Sequence, residues 1–361
     1  MCKKSLLSVF ALFLVGQFGL VSPGIAADPY FKGKTITVLV GYSSGQTDLV
    51  ARIFARNLEK HVAGNPTVIV KNMAGAGTIK AQNFLAEKSK PDGLTIGFNP
   101  FLVMAQLTGA KEMRFKYEDI TFVAGILSAP FMSVARTDTV SGGIKKPADI
   151  KMASGLKYTG RHPMNIIDIT ATSGLDALGV KYTYVAGHRG DAKIAKSLEQ
   201  GETNITGSTL SAWTNNMTRM AGDKSISKLY YHQRKGPDGK FADDPKYAGW
   251  PTYQEVYRQV HGKAPSGQLW DAYEFAIDMF STATWFIAGP PKMNKDAAAA
   301  LQEGFRKVSA DATLQAEAKK TVGTNLGYVG PAQANKAIAK LRSVDPKMIQ
   351  FWKDRTAKLV Q

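Results

Sequence analysis

Cysteine is nearly absent: Cys2 is the single one in 361 residues. It precedes an apolar run from Leu6 to Val21, whereas a lipid-anchored exported chain carries its cysteine after such a run. A lipoprotein and disulfide staples are both excluded, and a chain this long can hold itself together by burial. Beyond that run, no stretch approaches the ~18 to 20 apolar residues of a membrane span. Acidic residues are few, 29 against 46 Lys and Arg, which gives a formal charge of +17. The cations are scattered, with no basic run interleaved with aromatics, so nucleic acid is not the expected partner. Anionic small ligands or a solvated basic surface remain. His61, His162, His188, His232 and His261 lack metal-ligand spacing such as H-E-x-x-H. Asp238, Asp243 and Asp244 share a loop without the EF-hand pattern. No metal or other cofactor is expected, and no internal repeat or low-complexity tract is present.

What is present begins with Lys3 and Lys4 ahead of the apolar run, and with Gly24 and Ala26 as small residues near its end. That order reads as a cleavable secretory signal peptide over residues 1–27, with the mature chain beginning near Asp28 in the periplasm. Without Lys3 and Lys4 the formal +17 becomes +15. The roughly 334 residues left correspond to two domains at about 100 to 200 residues each.

From Thr35 the pattern alternates strand and helix. Thr35 to Val40 is a short β-branched run of the kind buried on both faces. Leu49, Ile53, Phe54 and Leu58 follow at helical spacing. Thr67 to Lys71 predicts a second strand, then a Gly-rich turn and a helix through Phe84 and Leu85. Pro91-Asp92-Gly93 turns the chain into a third strand, Leu94 to Phe98. This β-α-β-α-β order implies a parallel sheet with right-handed crossovers. Thr121 to Ala135 predicts a strand or strand pair leading out of the first lobe. A turn at Tyr158 to Asn165, a helix through Leu175, a strand at Lys181 to Val185, a helix at Ala192 to Glu199 and a strand from Ile205 follow. Trp285 to Ala288 is apolar, and 296–308, 312–321 and 332–341 read as helices. The expected architecture is α/β, two lobes, each a mainly parallel sheet flanked by helices, with a ligand cleft between them. Residues 28–125 plus 236–361 make lobe 1, and 126–235 make lobe 2.

The loop Gly41-Tyr42-Ser43-Ser44-Gly45-Gln46-Thr47-Asp48 leaves a buried strand and enters a helix, where ligands bind in open α/β sheets. A helix start carries about +0.5 charge and unpaired N–H groups, which suits a carboxylate. Ser43, Ser44, Gln46 and Thr47 add donors, and Asp48 is expected to bond the loop's amides and fix their direction. An ordinary strand-to-helix turn is the bland alternative. Gly41-x-Ser43-x-Gly45 also matches the nucleophile elbow of a secreted serine hydrolase. That elbow normally follows several strands, and no histidine is assignable as its base. Gly75-Ala76-Gly77-Thr78 closes a second Gly-rich strand-to-helix loop. It imitates a dinucleotide fingerprint, but Lys80 stands where a third Gly belongs. Close backbone approach to a ligand competes there with a plain turn. Gly160-Arg161-His162 and His188-Arg189-Gly190 place cationic or hydrogen-bonding side chains in turns, where an arginine can pair bidentately with a carboxylate or simply be solvated.

The stretch Tyr30 to Val40, then Gly45-x-x-Asp48-x-x-Ala51-Arg52, Val68-x-Val70-Lys71-Asn72-x-x-Gly75-Ala76-Gly77, Pro91-Asp92-Gly93-Leu94-Thr95, Gly249-Trp250-Pro251-Thr252 and Pro290-Pro291-Lys292 resembles the Bug-type solute receptors of tripartite tricarboxylate transporters. The resemblance spans nearly the whole mature chain, with its specific motifs in residues 30 to 98. It implies a monomeric flytrap that binds a small carboxylate without catalysis and delivers it to a membrane permease of one large and one small subunit. It places Tyr42, Ser43, Ser44, Gly45, Gln46 and Thr47 with Gly75, Ala76, Gly77 and Thr78 on one wall, near Asn99. Gly160, Arg161, His162, His188, Arg189, Ser208 and Thr209 form the other. The family's Pro-rich Gly-Gly turn is here Tyr42 to Gln46, its Tyr-Lys-Gly turn is His188-Arg189-Gly190, and its Gly/Ser-rich turn is Gly160 to Asn165. These departures leave the carboxylate's identity open, and a receptor that docks on a membrane kinase shares the same pattern.

Overall fold

A computed structural model describes residues 28–360 apart from 189 and 237, so the signal-peptide reading of 1–27 lies outside the described residues. The first sheet opens with β1 (Thr35–Val40), β2 (Thr67–Asn72) and β3 (Thr95–Pro100), linked by α1 (Gln46–Leu58) and α2 (Ile79–Lys88). The three strands are parallel. After α3 (Val103–Thr108) comes β4 (Thr121–Leu127), and the chain then crosses to a second sheet at β5 (Met132–Arg136).

That second sheet adds β6 (Leu156–Thr159), α4 (Ile166–Ala177), β7 (Tyr182–Val185), α5 (Asp191–Glu199) and β8 (Ile205–Ser208). A bent helical segment follows, α6 (Leu210–Ala212) and α7 (Thr218–Gly222) joined by a π turn, and β9 (Ile226–Tyr231) completes the sheet. A small hairpin of β10 (Arg234–Lys235) and β11 (Phe241–Ala242) leads to α8 (Tyr253–His261) and α9 (Gln268–Thr282). The chain returns to the first sheet with β12 (Trp285–Gly289). It ends in α10 (Lys295–Ser309), α11 (Ala312–Val322), β13 (Gly327–Val329), α12 (Pro331–Leu341) and α13 (Pro346–Val360).

The six-stranded sheet has the order β13-β4-β12-β3-β1-β2, and the five-stranded one β7-β6-β8-β5-β9. The two-lobed α/β reading holds, but the sheets are mixed rather than mainly parallel. The returning β12 inserts antiparallel between β3 and β4, and β5 lies antiparallel to both β8 and β9. The cause is the crossing itself: a strand arriving from the other lobe enters at the cleft end of a sheet and must run against strands that finish there.

Local chemistry agrees with this order. The TITVLV run of β1 is buried in its second half, and Phe54 of α1 packs between Phe98 and Phe305. Asn165 caps α4 through the Ile167 amide, and Thr252 with Glu255 forms a capping box on α8. The 253–282 helices pack on the second lobe: α9 lies along α4, and Tyr253 Oη donates to the Gly174 carbonyl at 2.7 Å. Each large side chain fully buried in such a core contributes about 1.5 to 3 kcal/mol.

Under α9 lies a fully buried histidine. His232 sits 3.0 Å from Ser133 Oγ and 3.1 Å from Tyr273 Oη, against the Tyr253 ring. Burial pushes its pKa down to about 3. Because the folded value lies below the unfolded one of about 6.5, the unfolded chain takes up the proton first. The neutral histidine's contribution is therefore complete above pH 6.5 and fades as pH falls toward 3. Urea unfolding at pH 7 and pH 5 should show a loss of about 2 kcal/mol from this group, which His232→Gln removes. An equally steep pH dependence in the variant contradicts this assignment.

Candidate functional site

Strand registers fix which ends face the gap between the sheets. Trp285 pairs with Pro100 and with Ile126, so the C-terminal ends of β1, β2, β3 and β4 share an edge with the start of β12. In the second sheet Met132 pairs with Ser208 and with Tyr231, which puts the ends of β8 and β9 beside the crossing from β4.

On the first edge, α1 starts from Gly45 with no side-chain cap, so the amides of Gln46, Thr47 and Asp48 have no intrahelical partner. The loop ahead of it is anchored from below. Asn99 accepts the Gly41 amide at 2.7 Å and donates to the Leu39 carbonyl at 3.2 Å, so this expected ligand residue uses its side chain on β1. Only glycine fits at 41, where a Cβ would strike Thr78 and Asn99. Thr47 Oγ1, expected to face a ligand, accepts the buried indole N–H of Trp285 at 2.9 Å. Ser43 and Ser44 are exposed, and among the described residues their hydroxyls make no hydrogen bond. Gln46 donates to Ser128 Oγ at 3.3 Å. Asp48 differs from expectation: it accepts Arg52 Nε at 3.0 Å and Asn72 Nδ2 at 2.7 Å rather than loop amides. Its charge is therefore matched within the lobe.

The second loop is bent unusually. Gly75, Ala76, Gly77 and Thr78 all have positive φ, 153°, 45°, 60° and 86°. For Ala76 and for the β-branched Thr78 this costs of order 1 to 3 kcal/mol each, a strain that the surrounding structure must hold. Buried Thr78 does so by packing under Gly41 and accepting Gln82 Nε2 at 3.1 Å.

The facing turn is organised by a residue that the sequence reading missed. Asp168, on the first turn of α4, is 1% exposed. Its carboxylate accepts the Arg161 amide at 2.6 Å, the His162 amide at 3.1 Å, Tyr184 Oη at 2.9 Å, Tyr158 Oη at 3.2 Å and Arg161 Nη1 at 3.2 Å. Arg161 also reaches Asp191 at 3.0 Å. Burial alone would lower the Arg161 pKa, but Asp168 and Asp191 outweigh it and raise it. One cation thus faces two carboxylates, so Arg161 is not the counter-charge for an anion. Burial depresses His162, which stays neutral at pH 7. Its Nδ1 accepts the Met164 amide at 3.1 Å, which leaves the proton on Nε2.

Of the remaining expected residues, Gly160 lies under the Tyr184 ring and its carbonyl accepts the His188 amide at 3.1 Å. His188 Nδ1 is buried without a partner among the described residues, and Arg189 lies outside them. Ser208 and Thr209 are buried at the end of β8. Ser208 donates to the Thr209 carbonyl at 3.3 Å, and Thr209 caps α6. The walls meet directly: Asn165 Nδ2 is 3.5 Å from Tyr42 Oη, and a Cβ on Gly77 would stand 3.5 Å from the His162 ring. A depression of about 1040 Å³ between α13 and β7 lies instead beside Tyr182, at the end of the second sheet away from this gap.

Two mixed α/β lobes, joined by short crossings and facing each other through their strand ends, define the fold of a periplasmic binding protein. The family model described as tripartite tricarboxylate transporter family receptor matches residues 50–226, and over that span the chain is similar to that family. No curated protein sequence matches it. Among solved structures, the periplasmic binding protein BugD aligns at TM-score 0.64 and 17% identity, over 91% of this chain and 98% of that one. MatC from Rhodopseudomonas palustris, with bound malate, aligns at 0.61 and 16%, over 90% and 100%. A second R. palustris protein, with adipate, aligns at 0.63 and 18%, over 91% and 97%. At these identities the likeness is one of fold.

The bonding pattern separates structural from available groups. Unfolding measurements should show Thr47→Ala losing about 1 to 3 kcal/mol, because the Trp285 indole N–H is stranded, and Ser43→Ala changing by less than about 0.5 kcal/mol. Asp168→Asn should lose about 3 to 5 kcal/mol by leaving Arg161 poorly matched. Equal effects at 43 and 47 contradict the assignment.

Proposed function

We propose that this chain is a periplasmic receptor that captures a small carboxylate between its lobes and delivers it to the permease subunits of a tripartite tricarboxylate transporter. The observation that carries the reading is the uncapped front of α1, whose first amides open at the strand-end edge opposite the turn tied by Asp168. A carboxylate there completes hydrogen bonds that the helix cannot make for itself. Lobe contact excludes water and lowers the local dielectric, which strengthens those bonds. The malate and adipate bound to the two R. palustris proteins fit this chemistry. The ligand wall would comprise Tyr42 to Gln46, Gly75 to Gly77, Gly160, His162 and His188, with Asn99, Thr47, Ser208 and Thr209 supporting from behind. Arg189 keeps its proposed place.

No catalytic group is needed. Ser43 has no histidine hydrogen-bonded to it among the described residues, which favours binding over hydrolysis. A lobe boundary that follows the packing gives residues 128–284 to the second lobe, with the rest of the mature chain in the first. The protein acts as a monomer in this reading, with the permease as partner.

A thermal-shift screen of aliphatic and aromatic mono-, di- and tricarboxylates tests it. A ligand at 100 times its dissociation constant should stabilise by about 2.7 kcal/mol. No shift with any carboxylate counts against the reading.

A further inference from the structure

Among the described residues, Arg234 is a cation without an anion. Among the described residues it makes no ion pair, although its neighbour Lys235 lies 2.7 Å from Glu274 and 2.8 Å from Asp278. Its Nη2 donates to Thr284 Oγ1 at 2.8 Å, its guanidinium lies 4.0 Å from the Phe280 ring centroid, and its Nε is buried with no partner. The two nearby acids are committed elsewhere. Asp244 caps the turn at Lys246, and Asp243 accepts Gln233 and Tyr231. Burial, opposed only partly by Tyr247 and Asp244, lowers its pKa to about 9.

The position is informative. Arg234 follows the end of β9, and Thr284 precedes Trp285 at the cleft edge of the first sheet, so the guanidinium sits at the crossings between the lobes. From there a chain of hydrogen bonds leads to α1: Thr284 Oγ1 accepts the Ser128 amide at 3.1 Å, and Ser128 Oγ accepts Gln46 Nε2 at 3.3 Å. Thr284, Ser128 and the Gln46 side chain thus link the guanidinium to the start of α1 by hydrogen bonds. A buried unpaired charge is costly, and an anion that reaches it is repaid in affinity. Arg161 cannot do this work, because Asp168 and Asp191 already match it.

We infer that Arg234 is the specificity-determining residue of the cleft: it takes the second acid group of a dicarboxylate whose first acid group is held at the front of α1. This rests on the carboxylate-receptor reading and sharpens it to a two-ended ligand.

Calorimetry with adipate, malate and their monomethyl esters, on the wild-type chain and on Arg234→Met and Arg234→Lys, tests the inference. The wild type should prefer a diacid to its monoester. Arg234→Met should weaken the diacid at least tenfold, leave the monoester within about twofold and melt, unliganded, at or above the wild-type temperature. Arg234→Lys should recover part of the loss. Equal weakening of diacid and monoester, an unchanged diacid affinity, or a large fall in unliganded melting temperature overturns it, as does a wild type that binds only monocarboxylates. A wild type that binds no acid of any kind sinks the receptor reading itself, and is thereby distinguished from a failure at Arg234 alone.

Discussion

The first amides of α1 point out of the helix with no partner among the described residues, and most of the surrounding structure keeps them that way. Asn99 holds the loop from beneath through Gly41, and Trp285 pins it through Thr47. Asp48, the acid nearest the amides in sequence, is turned aside by Arg52 and Asn72. Had it capped the helix instead, the amides would be satisfied and the positive end of the dipole cancelled. The strained backbone from Gly75 to Thr78 belongs to the same scaffold, because Thr78 fills the space that a side chain at position 41 would need. Local discomfort in one loop thus fixes the shape of another.

The opposing wall follows the reverse logic. Its polar groups are almost wholly satisfied, and by one carboxylate. Asp168 collects two backbone amides, two phenols and a guanidinium, which makes the Gly160 to His162 turn rigid and electrically closed. In the proposed reading, an anion between the lobes would gain its charge stabilisation from the first lobe and from the crossings, because Arg161 is already matched by Asp168 and Asp191. In the proposed flytrap one wall would attract and the other supply shape, and the two approach each other at Tyr42–Asn165 and Gly77–His162.

Much of the scaffold was legible in the residues. The β-branched run at 35–40 and the helical spacing of Ile53, Phe54 and Leu58 signal their elements without help, as do the Pro-Asp-Gly turn before β3 and the helices at 295–309 and 312–322. The sheet direction was less legible, because antiparallel insertion of β12 depends on a chain returning from the other lobe, and periodicity carries no such information. The helices at 253–261 and 268–282 were also missed. Their sequences are rich in aromatic residues, which pack on α4 and around His232 in a way that no local pattern announces. At the site, the Gly-rich loops marked themselves by composition, while Thr47, Asn99, Ser208 and Thr209 looked like ligand donors and turned out to be bonded within the chain. Asp168 had no signal beyond an acid in a first helical turn. Arg234 lay in a stretch between the strand from Ile205 and the apolar run at Trp285 where no local pattern marked an element.

A crystal structure of the mature chain grown with adipate, or with the tightest-binding carboxylate, tests the central claim most directly. The account predicts a carboxylate oxygen about 3 Å from an amide nitrogen at the front of α1, enclosed between the two strand-end edges. Ligand bound on the outer face beside α13, or a front of α1 covered by the chain's own side chains, would contradict it.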